Sequence, residues 1–140
     1  MILLDTDMLS LLHAGHKRVV EHVEQLDPAE LLGTTVVTRG EVLRARFEYL
    51  FKASDGKQLL KAQFWLQASD ALLADLHIVP VTSDAADEFE RLRRQRKLKK
   101  IGRRDLLIAS IALAHRAKLI TRNLKHFRQI DGLTLENWAD

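Results

Sequence analysis

Apolar and polar positions divide the chain into short strand-like runs and longer helical ones. Ile2-Leu3-Leu4 leads into Asp5-Thr6-Asp7, three aliphatic residues followed by aspartates at alternate positions. That is the pattern of a short buried strand whose carboxyl end opens into a site. As the first segment of the chain, this strand is expected at the centre of a sheet, with later segments laid on either side. Asp5 or Asp7 equally suits the cap of the helix that follows, since aspartate is a favoured N-cap. Met8 to Leu26 carries helical periodicity, with a break at Ala14-Gly15 and a stop at Asp27-Pro28. Leu31-Leu32 and Val36-Val37 bracket Gly33-Thr34-Thr35 as a second strand. Thr38-Arg39-Gly40-Glu41 then opens a helix, and its Thr-x-x-Glu spacing is the capping-box pattern, which by itself accounts for Glu41.

Residues 42–53 and 57–76 read as two helices around the turn Ser54-Asp55-Gly56. His77 to Val81 is the third strand, and Ser83 starts a helix that enters a basic run. Asp105 opens the segment 106–114, which is apolar around most of a helical wheel and therefore expected to be a central buried helix. An aspartate in a first turn is also favoured by the helix dipole alone. Lys118 to Thr121 is the fourth strand and Leu133 to Leu135 a short last one, with Trp138 packing its ring on the core. Strands alternating with helices predict an α/β architecture.

The chain has 140 residues and is 46% hydrophobic, which predicts one domain over residues 1–140. It contains no Cys, so a disulfide framework and a thiolate metal site are excluded, and a cytoplasmic location is expected. No apolar run approaches the roughly 18 residues of a membrane span, and no membrane partner is expected. His13, His16 and His22 match no metal-binding spacing. The net charge is only +3, but residues 91–104 hold 9 of the 22 Lys and Arg and no acid. Such density suits a polyanion: Arg93, Arg94, Arg96, Lys97, Arg103 and Arg104 are the candidate contacts to a nucleic-acid backbone.

Three acids occupy equivalent places in the βα pattern. Asp5 follows the first strand, Glu41 opens the helix after the second, and Asp105 opens the helix before the fourth; Asn123 follows the fourth. In a parallel sheet these positions meet at the carboxyl edge, where clustered carboxylates repel unless a cation lies between them. Oxygen donors without Cys favour Mg²⁺ or Mn²⁺. Such a metal beside an Arg-rich segment is the equipment of a phosphodiester hydrolase, because the ion polarises phosphate and lowers the pKa of an attacking water.

The sequence resembles the PIN-domain ribonucleases, and among them the VapC-type toxins of toxin–antitoxin pairs. The matching stretches are Leu-Leu-Asp-Thr-Asp at 3–7, Thr-Arg-Gly-Glu-Val at 38–42, Gly-Arg-Arg-Asp-Leu-Leu-Ile-Ala at 102–109, Leu-Ile-Thr-Arg-Asn-Leu-Lys-His-Phe at 119–127 and Leu-Glu-Asn-Trp at 135–138. The resemblance implies a three-layer α/β/α fold with a short, mostly parallel central sheet. It also implies that Asp5, Glu41 and Asp105 are the catalytic, metal-binding carboxylates, with Asn123 at a fourth position. Two departures stand out: Asp7 replaces the usual Asn, and His126 replaces an acid common before Phe. His126 is expected as a half-exposed surface residue.

The resemblance further implies a homodimer and a cognate VapB-like antitoxin. Phe47, Phe51, Phe64 and Trp65, in helices richer in large apolar residues than one buried face requires, are the candidate interface anchors. The contrary expectation is that these aromatics fill the domain's own core. Two rival functions fit parts of the pattern. Asp5-Thr6-Asp7 also matches the opening of haloacid-dehalogenase-type phosphatases, with Asp5 as nucleophile, and a PIN-like fold is compatible with non-catalytic RNA binding.

Overall fold

In the computed structural model, which describes residues 1–140, Leu3 packs on one side of a sheet while Ile2 and Leu4 pack on the other. That alternation follows from the period of two in a strand, and it makes β1 (Ile2–Leu4) apolar on both faces. The remaining strands are β2 (Leu32–Thr35), β3 (His77–Val79), β4 (Lys118–Ile120) and β5 (Thr134–Glu136). All pairings are parallel, in the order β3-β2-β1-β4-β5. The first strand is therefore the central one, as expected.

Two apolar layers cover the sheet. On the Leu3 face lie α5 (Ser83–Arg93), α6 (Arg103–Ala114) and α7 (Leu124–Phe127), which contribute Leu92, Ile108, Ile111 and Phe127. On the other face lie α1 (Thr6–His13), α2 (Lys17–Glu24) and α4 (Gly56–Ala74), which contribute Met8, Leu9, Val19 and Leu73. The helix α3 (Val36–Phe51) packs along α4, and its Val37 reaches one layer while Val42 and Leu43 reach the other. The expected three-layer α/β/α arrangement is present. No helix is long and apolar enough to cross a membrane.

Several local expectations hold. The first helical run breaks at Gly15, whose φ of +76° is tolerated because glycine lacks a Cβ. Residues 106, 108–112 form the buried face of α6. Trp138 is 2% exposed and stacks on His22 at 5.0 Å. The third strand is present but stops at Val79, two residues short of the Val81 expected from sequence, since Pro80 has no N–H to continue the ladder. Gly33 allows β2 to approach β3 closely: a Cβ there would lie 2.2 Å from the His77 carbonyl oxygen.

Several strand boundaries differ from expectation by one or two residues, and the end of β2 matters most for the site. The second strand ends at Thr35, and Val36-Val37 already belong to α3. Thr35 is the N-cap, its hydroxyl accepting from the Thr38 amide at 3.2 Å. The capping box of Thr38 and Glu41 therefore does not form. Pairing with β1 fixes where β2 must stop, and this overrides the strand preference of two valines. Thr38 is buried within the first turn, and Glu41 is freed for other partners.

Candidate active site

The chain leaves β1 toward β2 on one side and returns to β4 on the other, so a crevice opens beyond the carboxyl end of β1. Asp5 stands there. Its amide extends the sheet by donating to the Ile120 carbonyl at 3.1 Å, and its Oδ1 accepts from the Met8 amide at 2.8 Å. Asp5 is thus the N-cap of α1 and a crevice carboxylate at once. Only 8% of it is exposed, and burial raises its pKa from 3.8 to about 6. Hydrogen bonds from Thr121 and Met8 oppose the rise, while the charges of Asp7 and Asp105 add to it. Asp7 itself is exposed and caps nothing.

Glu41 enters the crevice from the second turn of α3. Its Oε1 accepts from the Thr6 hydroxyl at 2.9 Å, and Thr6 also meets the Thr38 hydroxyl at 3.2 Å. Its Oε2 accepts from Arg104 Nη1 at 3.0 Å, an ion pair joining α3 to the start of α6. An open cleft of about 610 Å³ runs here, lined by Thr6, Val37, Glu41, Arg44 and Arg104 among others. A neighbouring recess of about 470 Å³ is lined by Glu41, Gly102, Arg103, Arg104 and Asp105.

Asp105 lies in the first turn of α6, with His126 Nε2 3.1 Å from its Oδ2. His126 is partly exposed, as expected from sequence, but its Nε2 is shielded from solvent and has no hydrogen-bond partner. Asn123 follows β4, is exposed, and makes no side-chain cap to α7; its amide donates to the Thr121 hydroxyl at 3.0 Å.

The fold thus brings Asp5 and Asp105 within electrostatic reach, ties Glu41 to Thr6 and Arg104, and leaves Asn123 at the rim. No three His, Asp or Glu side chains converge as a ready-made metal shell. The donor chemistry nonetheless fits a divalent cation. Asp5 is a carboxylate whose burial, with a smaller contribution from the Asp7 and Asp105 charges, makes ionisation unfavourable, and His126 Nε2 is a buried nitrogen without a hydrogen-bond partner. A positive ion placed among them relieves both. Thr6, Thr121 and Arg104 join the site as positioning groups. Thr6 was legible as the residue between two candidate aspartates, and Thr121 as the end of β4 beside the end of β1.

The basic run is less free than its composition implies. Arg93 and Arg94 pair with Glu90, Lys97 with Asp131 and Arg104 with Glu41. Arg103 lies over the Phe89 ring at 5.1 Å, and Arg96 has no acidic partner. The aromatic residues of α3 and α4 divide differently. Phe47, Phe51 and Phe64 are 42%, 78% and 62% exposed, so they do not fill the core. Trp65 is half-buried between His13, 5.6 Å away ring to ring, and the Arg46 guanidinium, 5.3 Å from its centroid.

Residues 2–133 match the family described as PIN domain. "Ribonuclease VapC2" of Rickettsia felis is 41% identical over 71 residues, a match covering 49% of this chain and about half, 53%, of that protein. "Ribonuclease VapC1" of Haemophilus influenzae strain R2866 is 27% identical over 139 residues, covering 98% of this chain and 97% of the relative. Among solved structures, VapBC2 from Rickettsia felis bound to a DNA fragment from its promoter superposes with a TM-score of 0.80 at 28% identity, covering 99% of both chains. VapBC-1 from nontypeable Haemophilus influenzae superposes with a TM-score of 0.81 at 27% identity, covering 100% of both chains. The parallel five-stranded sheet, the acids at its carboxyl edge and these matches together place the chain in the PIN-domain family, as a member of the VapC type.

Proposed function

We propose that this protein is a divalent-metal-dependent endoribonuclease, the toxin of a toxin–antitoxin pair, acting on RNA phosphodiester bonds with Mg²⁺ or Mn²⁺. The observation that carries this reading is the buried Asp5 carboxylate, raised in pKa beside Asp105 at the switch point of a parallel sheet. The ribonuclease names of the relatives support it. Asp5 and Asp105 would hold the ion, Glu41 would complete its surroundings or orient water, and Asn123 would supply a further oxygen at the rim. Bound there, the ion supplies Lewis-acid chemistry for phosphodiester hydrolysis. Thr6 holds Glu41 in the crevice, and Thr121 and the Met8 amide hold Asp5. Arg104, exposed and ion-paired with Glu41, would be free to grip a phosphate if Glu41 served a bound ion. The whole chain acts as one domain in the cytoplasm. Purified protein should cleave RNA, lose the activity in EDTA and regain it with Mg²⁺ or Mn²⁺; cleavage indifferent to the chelator would overturn the reading. The match to the PIN family leaves the phosphatase alternative without support.

RNA runs along the basic segment, where Arg93, Arg94, Arg96, Lys97, Arg103 and Arg104 position its backbone without reading sequence. Arg96 and Arg103 carry most of this, because neither is held by an acid of the same chain. The double variant Arg96→Gln/Arg103→Gln should bind single-stranded RNA more weakly, its log–log salt slope flatter by about 0.7 for each phosphate that is no longer neutralised. An unchanged slope in fluorescence-anisotropy titrations counts against the patch.

The exposed Phe47, Phe51 and Phe64, with Trp65 beside them, form the surface for a second copy of the chain and for a VapB-like antitoxin. The similar structures from Rickettsia felis and Haemophilus influenzae are VapBC assemblies, which supports such a partner. Light scattering should give a dimer for the wild type, and the double variant Phe51→Asp/Phe64→Asp should be monomeric or fail to bind antitoxin. A variant that keeps both associations places the interface elsewhere.

A further inference from the structure

Phe89 is an aromatic ring on the core side of α5 that the core does not fully cover. Ala85 and Leu92 of the same helix are buried, and helical spacing puts Phe89 on their face. Its ring packs against the apolar layer yet stays half-buried. An open recess of about 480 Å³ lies beside it, lined by Phe89 with the buried Ile101 and Leu106, and by the exposed Arg93, Arg94 and Arg103. No acid lines this recess. The Arg103 guanidinium carbon lies over the Phe89 ring, 5.1 Å from its centroid. Arg103 also lines the recess shared by Glu41, Arg104 and Asp105, so one side chain borders both the carboxylate crevice and the aromatic recess.

We propose that Phe89 and Arg103 form a stacking platform for one unpaired base of the RNA, directly beside the bond presented to the crevice, with Arg93 and Arg94 on the flanking phosphates. The inference rests on the preceding reading of the substrate as RNA cleaved at the Asp5 and Asp105 crevice. Aromatic rings and guanidinium planes are the surfaces on which splayed-out bases stack, and a duplex keeps its bases within its own stack. A wholly apolar ligand would leave three cations facing it, whereas a nucleotide offers a flat base to the ring and phosphates to the arginines. Arg93 and Arg94 pair with Glu90 at 3.0 and 3.8 Å, but these pairs join exposed side chains, so they exchange readily for a phosphate. Stacking tolerates any base, so the platform demands single-stranded RNA at this position rather than a particular letter. The alternative is that Phe89 and Arg103 only pack α5 against α6. Loss of the ring would then disturb all RNA binding alike, or none of it.

The test titrates the full-length protein into a short, fluorescein-labelled single-stranded RNA, with EDTA present so that the RNA stays intact, and maps the cut bond separately with Mg²⁺ or Mn²⁺. In a series of otherwise identical RNAs, one base at a time is replaced by an abasic ribose. The abasic position next to the cut bond should weaken wild-type binding about 5-fold or more, with smaller effects elsewhere. Phe89→Leu keeps the apolar bulk but loses the flat ring. It should bind the intact RNA about 5-fold more weakly, become indifferent to the abasic position, and keep the wild-type salt slope, because no charge is removed. Phe89→Tyr should restore both the affinity and the abasic sensitivity. Circular dichroism checks that the variants fold, and the abasic series on wild type is decisive should they not. No effect of an abasic ribose next to the cut bond in wild type, or an equal loss for intact and abasic RNA in Phe89→Leu, overturns the platform. If the RNA is cut as expected while the abasic series is flat, only the platform falls. If the RNA is neither bound nor cut, the ribonuclease reading falls with it. RNA that is bound with the coupling between Phe89 and one base, yet left uncut with either ion, removes the ribonuclease reading and leaves the platform as a site for single-stranded RNA.

Discussion

Asp5→Asn should abolish RNA cleavage while leaving the protein folded. The substitution keeps the size and the cap, because an Asn oxygen can still accept from the Met8 amide and Asn caps helices as well as Asp does. What it removes is one negative charge at the centre of the crevice. Electrostatic groups of this kind contribute about 100-fold or more to rate when they face developing charge. Removing an ion's ligand should cost at least that much. Relief from the charges of Asp7 and Asp105 should keep thermal stability at or above that of the wild type. The decisive comparison is the initial cleavage rate of an end-labelled RNA beside a thermal melt of the same preparation. Full activity in a folded Asp5→Asn protein would remove Asp5 from the mechanism.

The second large effect is a pH dependence of stability in the metal-free protein. The Asp5 pKa is raised on folding from 3.8 to about 6, with burial as the main cause. The folded state therefore holds the proton more tightly than the unfolded chain does. Its contribution to stability is fully present below pH 4 or so, falls across the interval and is lost as pH rises through about 6. The separation of the two values corresponds to about 3 kcal/mol. Other acids also titrate in this range, so the measurable quantity is the difference between wild type and Asp5→Asn in urea unfolding at several pH values. Relative to the variant, the wild type should lose stability between pH 4 and 7, and a divalent ion at pH 7.5 should restore it. A difference that stays constant with pH would show that the Asp5 carboxyl is not desolvated in the folded protein.

The exposed aromatics, the basic run and His126 show how far a sequence pattern reaches. Phe64-Trp65-Leu66 cannot share one helix face, and the structure resolves them as exposed, half-buried and buried in turn. Periodicity fixed that some must lie outside, but not which. The charge of residues 91–104 was countable, and Glu90 beside it pairs with Arg93 and Arg94 at local helical spacing, but Asp131 and Glu41, which hold Lys97 and Arg104, reach the run only through the fold. The partly exposed place of His126 was legible, but nothing in its local sequence announces Asp105, a neighbour 21 positions earlier.

By itself the sequence determined the α/β class, the central place of β1 and the positions of Asp5, Glu41 and Asp105 relative to their strands. These are local consequences of apolar alternation, helical periodicity and turn residues, which act within a few positions along the chain. Tertiary structure alone decided that Thr35 rather than Thr38 caps α3, because the end of β2 is set by its pairing with β1. It alone turned Glu41 from a cap into a crevice carboxylate held by Thr6 and Arg104, and brought His126 to Asp105. Each of these depends on packing between segments distant in sequence, where the partner of a polar group is chosen by geometry rather than by its neighbours in the chain.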